Sequence, residues 1–425
     1  MRRNLEPHEI RLHAVHGEAR SVFETLQQHV PLKQVFSHEE TGVDLTFRRD
    51  IEMAEYFKSL GVRWREFPTN AVQRGLMHRN EWRRNWREMM NQSLESPDLD
   101  ALQQARLPYA CTPWLKLHPI PERFKQQNLL FQPGGETNAW NTLDDFLYGR
   151  GRHYNTAISA PGPAQVGCSR LSPYITWGNI SIRQIWQYVN AVYEGLAWRR
   201  AIHSFRSWLR WHCHFVQKFE AEPRMEFQNL NKGYDDIRRK VDSGHINAWK
   251  EGQTGLPMVD ACMRSVKSTG YLNFRMRAML VSFLTHHLWK PWAIFLGRQF
   301  LDFEPGIHYS QFQMQAGTTG VNSIRIYNPV KQGYDYDPEG YFIRRWVPEL
   351  RGIPPQFVHE PWKLRPMEWQ MYGYEPGKTY PVPIIPDKKN RTIEQAKFCG
   401  PKKEDKQVRK ENGRILKKHV KRPLK

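Results

Sequence analysis

No C-x-x-C pair, and no other close pair of cysteines, occurs in the 425 residues. The five cysteines, Cys111, Cys168, Cys213, Cys262 and Cys399, are scattered. That argues against a disulfide framework and a cysteine-based zinc or iron–sulfur site, and predicts a reducing, cytoplasmic compartment. No apolar run approaches the ~20 residues of a membrane span, so an integral membrane protein is not expected. The opening residues MRRNLEPH lack the apolar segment of a signal peptide. G-x-x-x-x-G-K-[ST] and G-x-G-x-x-G are absent, which leaves P-loop and dinucleotide-fingerprint readings without support, and no G-x-S-x-G occurs. No fixed-period repeat is evident.

Acidic residues are also short: 43 Asp+Glu stand against 63 Lys+Arg, a net charge of +20. Such an excess suits a polyanionic partner, of which nucleic acid is the commonest. Part of it sits in residues 387–425, rich in Lys and Arg with almost no aromatics, which reads as a disordered basic tail. The body is basic too. In HRNEWRRNWREMM (78–90), Arg79, Arg83, Arg84 and Arg87 interleave with Trp82 and Trp86. Arginines and aromatics mixed this way suit phosphate and base contact. The same i, i+4 tryptophans equally suit a surface helix facing the core.

What the chain does have is aromatic mass, 13% of residues with 16 Trp, enough for a sizeable core. Residues 1–95 open with helix (19–29), strand (33–36), helix (50–60) and strand (62–67), the pattern of a partial parallel α/β domain. A proline-rich linker covers 96–133. Residues 134–386 are mostly helical, with Thr137 placed to cap a helix carrying Trp140, Leu143, Phe146 and Leu147. Further helices are expected at 180–193, 195–220, 257–269, 271–289 and 292–300. Within 195–220, Ile202, Phe205, Leu209, Val216 and Phe219 form one apolar stripe, and His212 falls on it. His212 reads equally as a core histidine with a satisfied hydrogen bond. His212 and His214, about 200° apart on a helix, cannot chelate one ion, so no metal is expected.

Three stretches carry chemistry. Cys168-Ser169-Arg170-Leu171-Ser172 is a small-polar loop running into a helix, which suits an anion or is simply a cap. WKEGQTGLPMVDACMR (249–264) is a turn feeding a helix. DFEPGIH (302–308) sets Asp302, Glu304 and His308 on an irregular segment among aromatics, where acidic groups need partners or a polar ligand.

Taken in order with GGETNAWNTLDDFLYGRGRHY, CSRLSPY, TGYLNFRMRAM, QAGTTGVNSIRIYNPVKQ and FIRRWVPELRGIPPQFVHEPWK, these stretches resemble the cryptochrome/photolyase family over roughly residues 135–363. The resemblance implies a mainly α protein: an all-helical FAD-binding domain of photolyase type preceded by a partial α/β (Rossmann-like) domain. It implies FAD folded in a central cavity along Tyr154, Cys168, Ser169, Arg170, Leu171, Ser172, Trp211, His212 and Phe215. Arg277 and Asp302 match a salt-bridged pair beside the flavin, Glu304 a second acidic position, and His308 the residue facing the flavin's reactive nitrogen. These imply a catalytic set of His308, Arg277 and Asp302. Arg275 matches a position near cofactor and substrate. With Phe274, Met314, Arg83, Arg84 and Arg87 it forms the expected DNA-binding set.

Departures from the family pattern are part of the expectation. Trp208 stands where dimer-splitting photolyases carry a Glu, and His212 where an Arg is usual. Phe274-Arg275 replaces Asn-Arg, with Asn273 adjacent, and Met314 replaces a lesion-stacking Trp. Phe312 takes the place of the Trp nearest the flavin, and Trp292 matches the middle member of the electron-transfer chain. The signature of the family's first strand is absent, together with about half of its α/β domain. An antenna chromophore, housed largely there, is not carried over to this chain. The implied activity is light-driven electron transfer from reduced FAD to pyrimidine dimers in DNA. A monomer is expected, favouring damaged DNA that is single-stranded or locally opened. The alternatives are a blue-light photoreceptor signalling through partners and, more distantly, a basic nucleic-acid binder that has lost FAD.

Overall fold

The computed structural model describes residues 2–101, 111, 114, 119–235, 242–287, 293–385 and 404–419. The amino-terminal part follows the expected order: helix Ala19–His29, strand β1 Gln34–His38, helix Asp44–Ser59 and strand β2 Arg63–Phe67. β1 and β2 pair in parallel, Gln34 opposite Arg63 through His38 opposite Phe67. A parallel pair needs a crossover of a dozen or more residues, and the Asp44–Ser59 helix supplies it. That helix starts six residues earlier than its apolar pattern indicates, because Leu45 and Phe47 are exposed and blur the stripe. Met53, Tyr56, Phe57 and Val62 form the small core beneath the sheet.

The next helix, Trp82–Met90, does not belong with this α/β piece. Trp82, Trp86 and Met90, one turn apart, are buried in the same cluster as Leu143, Phe146, Ile185 and Phe205. Trp86 meets Trp186 edge-on at 5.0 Å. The helix faces the core, and its tryptophans are not free for base contact. Arg83, Arg84 and Arg87 remain exposed, with Arg84 held by Glu81 and Glu88.

The helical body has two large apolar cores. One surrounds Glu136–Tyr148, Ile182–Val192 and the 23-residue Arg199–Ala221 helix, whose expected stripe is buried throughout. The first of these is not capped by Thr137: Gly135 holds the cap position, and its N–H reaches Asn179 at 3.1 Å. The other core surrounds Pro257–Thr269, Phe274–Ser282 and Tyr341–Trp346. Proline opens and left-handed glycine closes Pro257–Thr269 (Gly270, φ 66°) and Pro305–Ala316 (Gly317, φ 75°). Asp302 precedes the second of these, but His308 lies on it, so 302–308 is irregular only in its first half. The expected 271–289 helix begins only at Phe274, after Gly270 breaks the chain, and becomes a π-turn at Phe283–His287. The 292–300 segment is helical over Ala293–Gly297.

The basic tail is not disordered over 404–419. Lys406–His419 is a helix that buries Val408 and Ile415 against the body. Asn231 donates to the Val408 carbonyl at 3.1 Å and to Asn412 at 2.9 Å. Two apolar residues seven apart in a lysine-rich stretch are a weak signal, and polar anchors on a distant segment complete the docking. Residues 387–403 and 420–425 lie outside the described residues.

Candidate functional site

A cavity opens where the two cores face each other. Its free space, counting the open mouth, is about 1460 Å³. The long helix contributes Phe205, Trp208, Leu209, Trp211, His212 and Phe215. The opposite wall holds Tyr271, Leu272, Asn273, Phe274, Arg277 and Ala278, and the Pro305–Ala316 helix adds Ile307, His308, Gln311, Phe312 and Gln315. The two long walls approach closely at Gly306, where any Cβ would stand 2.6 Å from Val216 Cα.

On one side lies the Cys168–Ser172 loop, all five residues lining the cavity together with Tyr154. Arg170 has a left-handed backbone (φ 61°), a strained state for a residue with a Cβ. Its guanidinium lies 3.5 Å from the centre of the Tyr271 ring, and burial lowers its pKa. Arg150 holds this loop in place. It donates to the carbonyls of Thr142, Val166, Cys168 and Ser169 and pairs with Asp145. Nothing in the local sequence marks Arg150, because its partners are backbone carbonyls up to 19 residues away.

Deep in the cavity, Arg277 Nη2 donates to Asp302 Oδ2 at 3.0 Å. Oδ1 is equally near but has no aligned donor. Arg277 also donates to the Leu272 carbonyl at 2.6 Å and stacks 4.0 Å above Phe300. His308 meets the Ala293 carbonyl through Nε2 at 2.7 Å. A carbonyl only accepts, so Nε2 carries the proton and Nδ1 is left as an acceptor. Burial pulls the pKa of His308 down to about 4, so the ring is neutral at pH 7. Phe312 is buried in the wall beside it, 6.0 Å from the His308 ring.

Buried polar atoms without partners cluster here: both ring nitrogens of His212, Asn273 Oδ1, Gln311 Oε1 and Asp302 Oδ1. His212 is therefore not a satisfied core histidine. Each unmet group costs about 1–3 kcal/mol, so the cavity suits a large, polar, aromatic ligand. A flavin dinucleotide fits: aromatic and aliphatic walls for a ring system, the open Asp302 acceptor for a ring N–H, and hydroxyls, Arg170 and His212 for the remainder.

Burial pushes the pKa of Glu304 up to about 7. Because the folded value lies above the unfolded 4.5, the folded state holds the proton more tightly. This group's contribution to stability is full below about pH 4.5 and is lost as pH rises to about 7. In Glu304→Gln that decline should vanish from a pH series of urea midpoints; an identical decline in the variant would place its origin elsewhere.

Several expected site residues lie elsewhere. Arg275 does not line the cavity; its guanidinium sits 4.5 Å over Tyr336 and Nε is buried without a partner. Met314 is half-buried outside the lining, because the helix turns Gln311 and Gln315 inward in its place. Trp292 lies outside the described residues. The 249–264 motif is a structural keystone. Buried Asp260 accepts from Thr254 N–H (2.8 Å), Thr254 Oγ1 (2.7 Å), Gly255 N–H (3.1 Å) and the Tyr380 hydroxyl.

A profile of the FAD binding domain of DNA photolyase matches residues 205–399. The chain belongs to the cryptochrome/photolyase family. It is 32% identical over 272 residues to a deoxyribodipyrimidine photo-lyase of Alkalihalophilus pseudofirmus, 63% of this chain and 56% of that protein. A cryptochrome DASH of Gloeobacter violaceus is 31% identical over 264 residues, 59% of this chain and 51% of the relative. The chain thus matches little more than half the length of these curated relatives. The crystal structure of a bacterial class III photolyase from Agrobacterium tumefaciens superposes with a TM-score of 0.78 at 25% identity, covering 95% of this chain and 86% of the other. FAD is the cofactor of the matched domain, in agreement with the cavity's shape and unmet polar atoms.

Proposed function

We propose that the protein is a photolyase-type flavoprotein acting on damaged DNA, as a monomer in a reducing compartment. The observation that carries this is the mouth of the cavity. Trp208, Trp211 and Phe274 are 37%, 43% and 43% exposed there, around a deep ionic Arg277–Asp302 pair. Exposed aromatic faces at a cavity mouth stack bases taken out of a duplex or presented by a single strand. Burial lowers the pKa of Arg210 on the long helix, and Arg83 and Arg87 lie close enough to lower it further, forming a cationic shoulder for phosphates near Trp211.

When bound, FAD supplies light absorption and one-electron chemistry. The chain's own residues do the rest. Asp302 holds Arg277 and offers Oδ1 to a buried N–H; neutral His308 presents an acceptor without adding charge. Phe300, Phe303 and Phe312 exclude water. Trp208 pairs with Phe274 at 5.6 Å and narrows one side of the mouth.

The test incubates reduced, FAD-loaded protein with dimer-containing oligonucleotides in darkness and in blue light. Light-dependent restoration, faster on single strands, is expected. Trp211→Ala should weaken binding roughly 5- to 150-fold, the loss of one stacking face at about 1–3 kcal/mol. DNA binding without restoration of any pyrimidine photoproduct would replace this reading by the photoreceptor one. That second reading draws on Trp208, an uncharged side chain at the position matching the lesion-contacting acid, and on the similarity to cryptochrome DASH.

A further inference from the structure

The carboxy-terminal helix Lys406–His419 has two faces. At about 100° per residue, Val408, Glu411, Asn412, Ile415, Lys418 and His419 share one side. That side is docked: Val408 and Ile415 are buried, Lys418 donates to the Ala221 carbonyl at 2.6 Å, and Arg414 pairs with Glu222 and donates to Leu230 at 3.2 Å. Lys406, Lys410 and Lys417 fall within about 40° of one another on the opposite side, with Arg409 beside them. All four are exposed, and none has a carboxylate partner among the described residues.

We propose that this outer face is a second phosphate-binding surface, which holds duplex DNA flanking the site and extends the footprint beyond the cavity mouth. The proposal rests on the DNA reading above. Lys406 to Lys417 spans about 16 Å of helix, the length of roughly five base-pair steps. The helix docks on the end of the same long helix that lines the mouth. Ala221, where Lys418 docks, lies ten residues from Trp211 on the same helix, about 15 Å. Between them burial lowers the pKa of His214, and the nearby cations Arg79, Lys218 and Arg83 add to the effect. The only large exposed apolar side chain on the helix is Leu416, while Val408 and Ile415 are already buried. A helix that inserts into a membrane surface keeps its apolar face free; this one does not, so duplex nucleic acid is the occupant the face fits.

The experiment compares the full, FAD-loaded chain with Lys406→Gln/Arg409→Gln/Lys410→Gln/Lys417→Gln and, separately, Arg83→Gln/Arg87→Gln. Each is titrated with an undamaged 30-base-pair duplex from 50 to 200 mM salt, and with phosphatidylserine vesicles. Melting temperatures should match, since the four side chains point away from the docked face. Removing a cation that neutralises one phosphate lowers the salt slope by about 0.9, so the quadruple variant's affinity drop over that range should shrink by up to about 150-fold. Repair of a dimer in a short single strand, confined to the mouth, should be unchanged. An unchanged slope, a wild-type chain that does not bind the duplex, or a loss confined to vesicles overturns the proposal. Failure of the repair reading is read separately, as wild-type protein that restores no dimer in light.

Discussion

Asp302→Ala is expected to destabilise the protein by about 3 kcal/mol and to abolish retention of flavin. Removing one member of a buried ion pair leaves the other charged and uncompensated, which costs about 3–5 kcal/mol when burial is complete. Asp302 is 7% exposed and Arg277 25%. The loss therefore falls at the lower end, because Arg277 keeps some solvent, the Leu272 carbonyl and the Phe300 face. Flavin loss follows from a different atom: Oδ1 has no aligned protein donor and is free to accept from the ligand. Asp302→Asn separates the two effects, since its amide keeps the volume and loses the charge. Urea midpoints of flavin-free protein and absorbance at 450 nm after gel filtration measure them. A midpoint shift worth less than about 1 kcal/mol with full flavin would show that the pair is dispensable.

Arg150→Ala should be at least as destabilising although the residue does not line the cavity. Its guanidinium satisfies four carbonyls, and its side chain is 14% exposed. Hydrogen bonds to a charged group contribute about 1.5–3 kcal/mol each when lost singly. The combined loss is expected near 3–4 kcal/mol, as water enters and partly replaces them. Arg150→Lys should recover little, because a single ammonium cannot reach carbonyls arranged around a planar fork. Hydrogen exchange over residues 166–172 is expected to accelerate in both variants, with weaker flavin retention. Unaltered exchange in that loop would mean that Tyr271 stacking on Arg170 holds it unaided.

The helices that build the cavity walls were readable from apolar spacing. The stripe Ile202, Phe205, Leu209, Val216, Phe219 needs only 3.6-residue periodicity, and its burial is nearly total. The Arg277–Asp302 pair and the polar loop at Cys168–Ser172 were readable from the family motifs, since those segments keep their residues. Met314 and Arg275 were misplaced because matching a motif gives a position in the chain and not a direction: one residue along a helix turns a side chain by about 100°. Gln311 and Gln315 consequently line the wall where Met314 was expected.

The amino-acid sequence by itself determined the mainly helical class, the αβαβ opening, the family and about half of the cavity's lining residues, because these depend on local periodicity and on short motifs that stay contiguous. Tertiary structure alone decided three things. It decided between the core and cofactor-lining readings of His212, which lines the cavity with both ring nitrogens unmet. It settled the open choice for Trp82 and Trp86 by turning them into the core, while Arg83, Arg84 and Arg87 stay exposed. It ordered Lys406–His419 through contacts with Asn231, Glu222 and Leu230, nearly two hundred residues away. The physical reason is the same in each case. Whether a polar, aromatic or basic side chain meets solvent, core or ligand depends on what packs over it, and those partners lie far away in the chain.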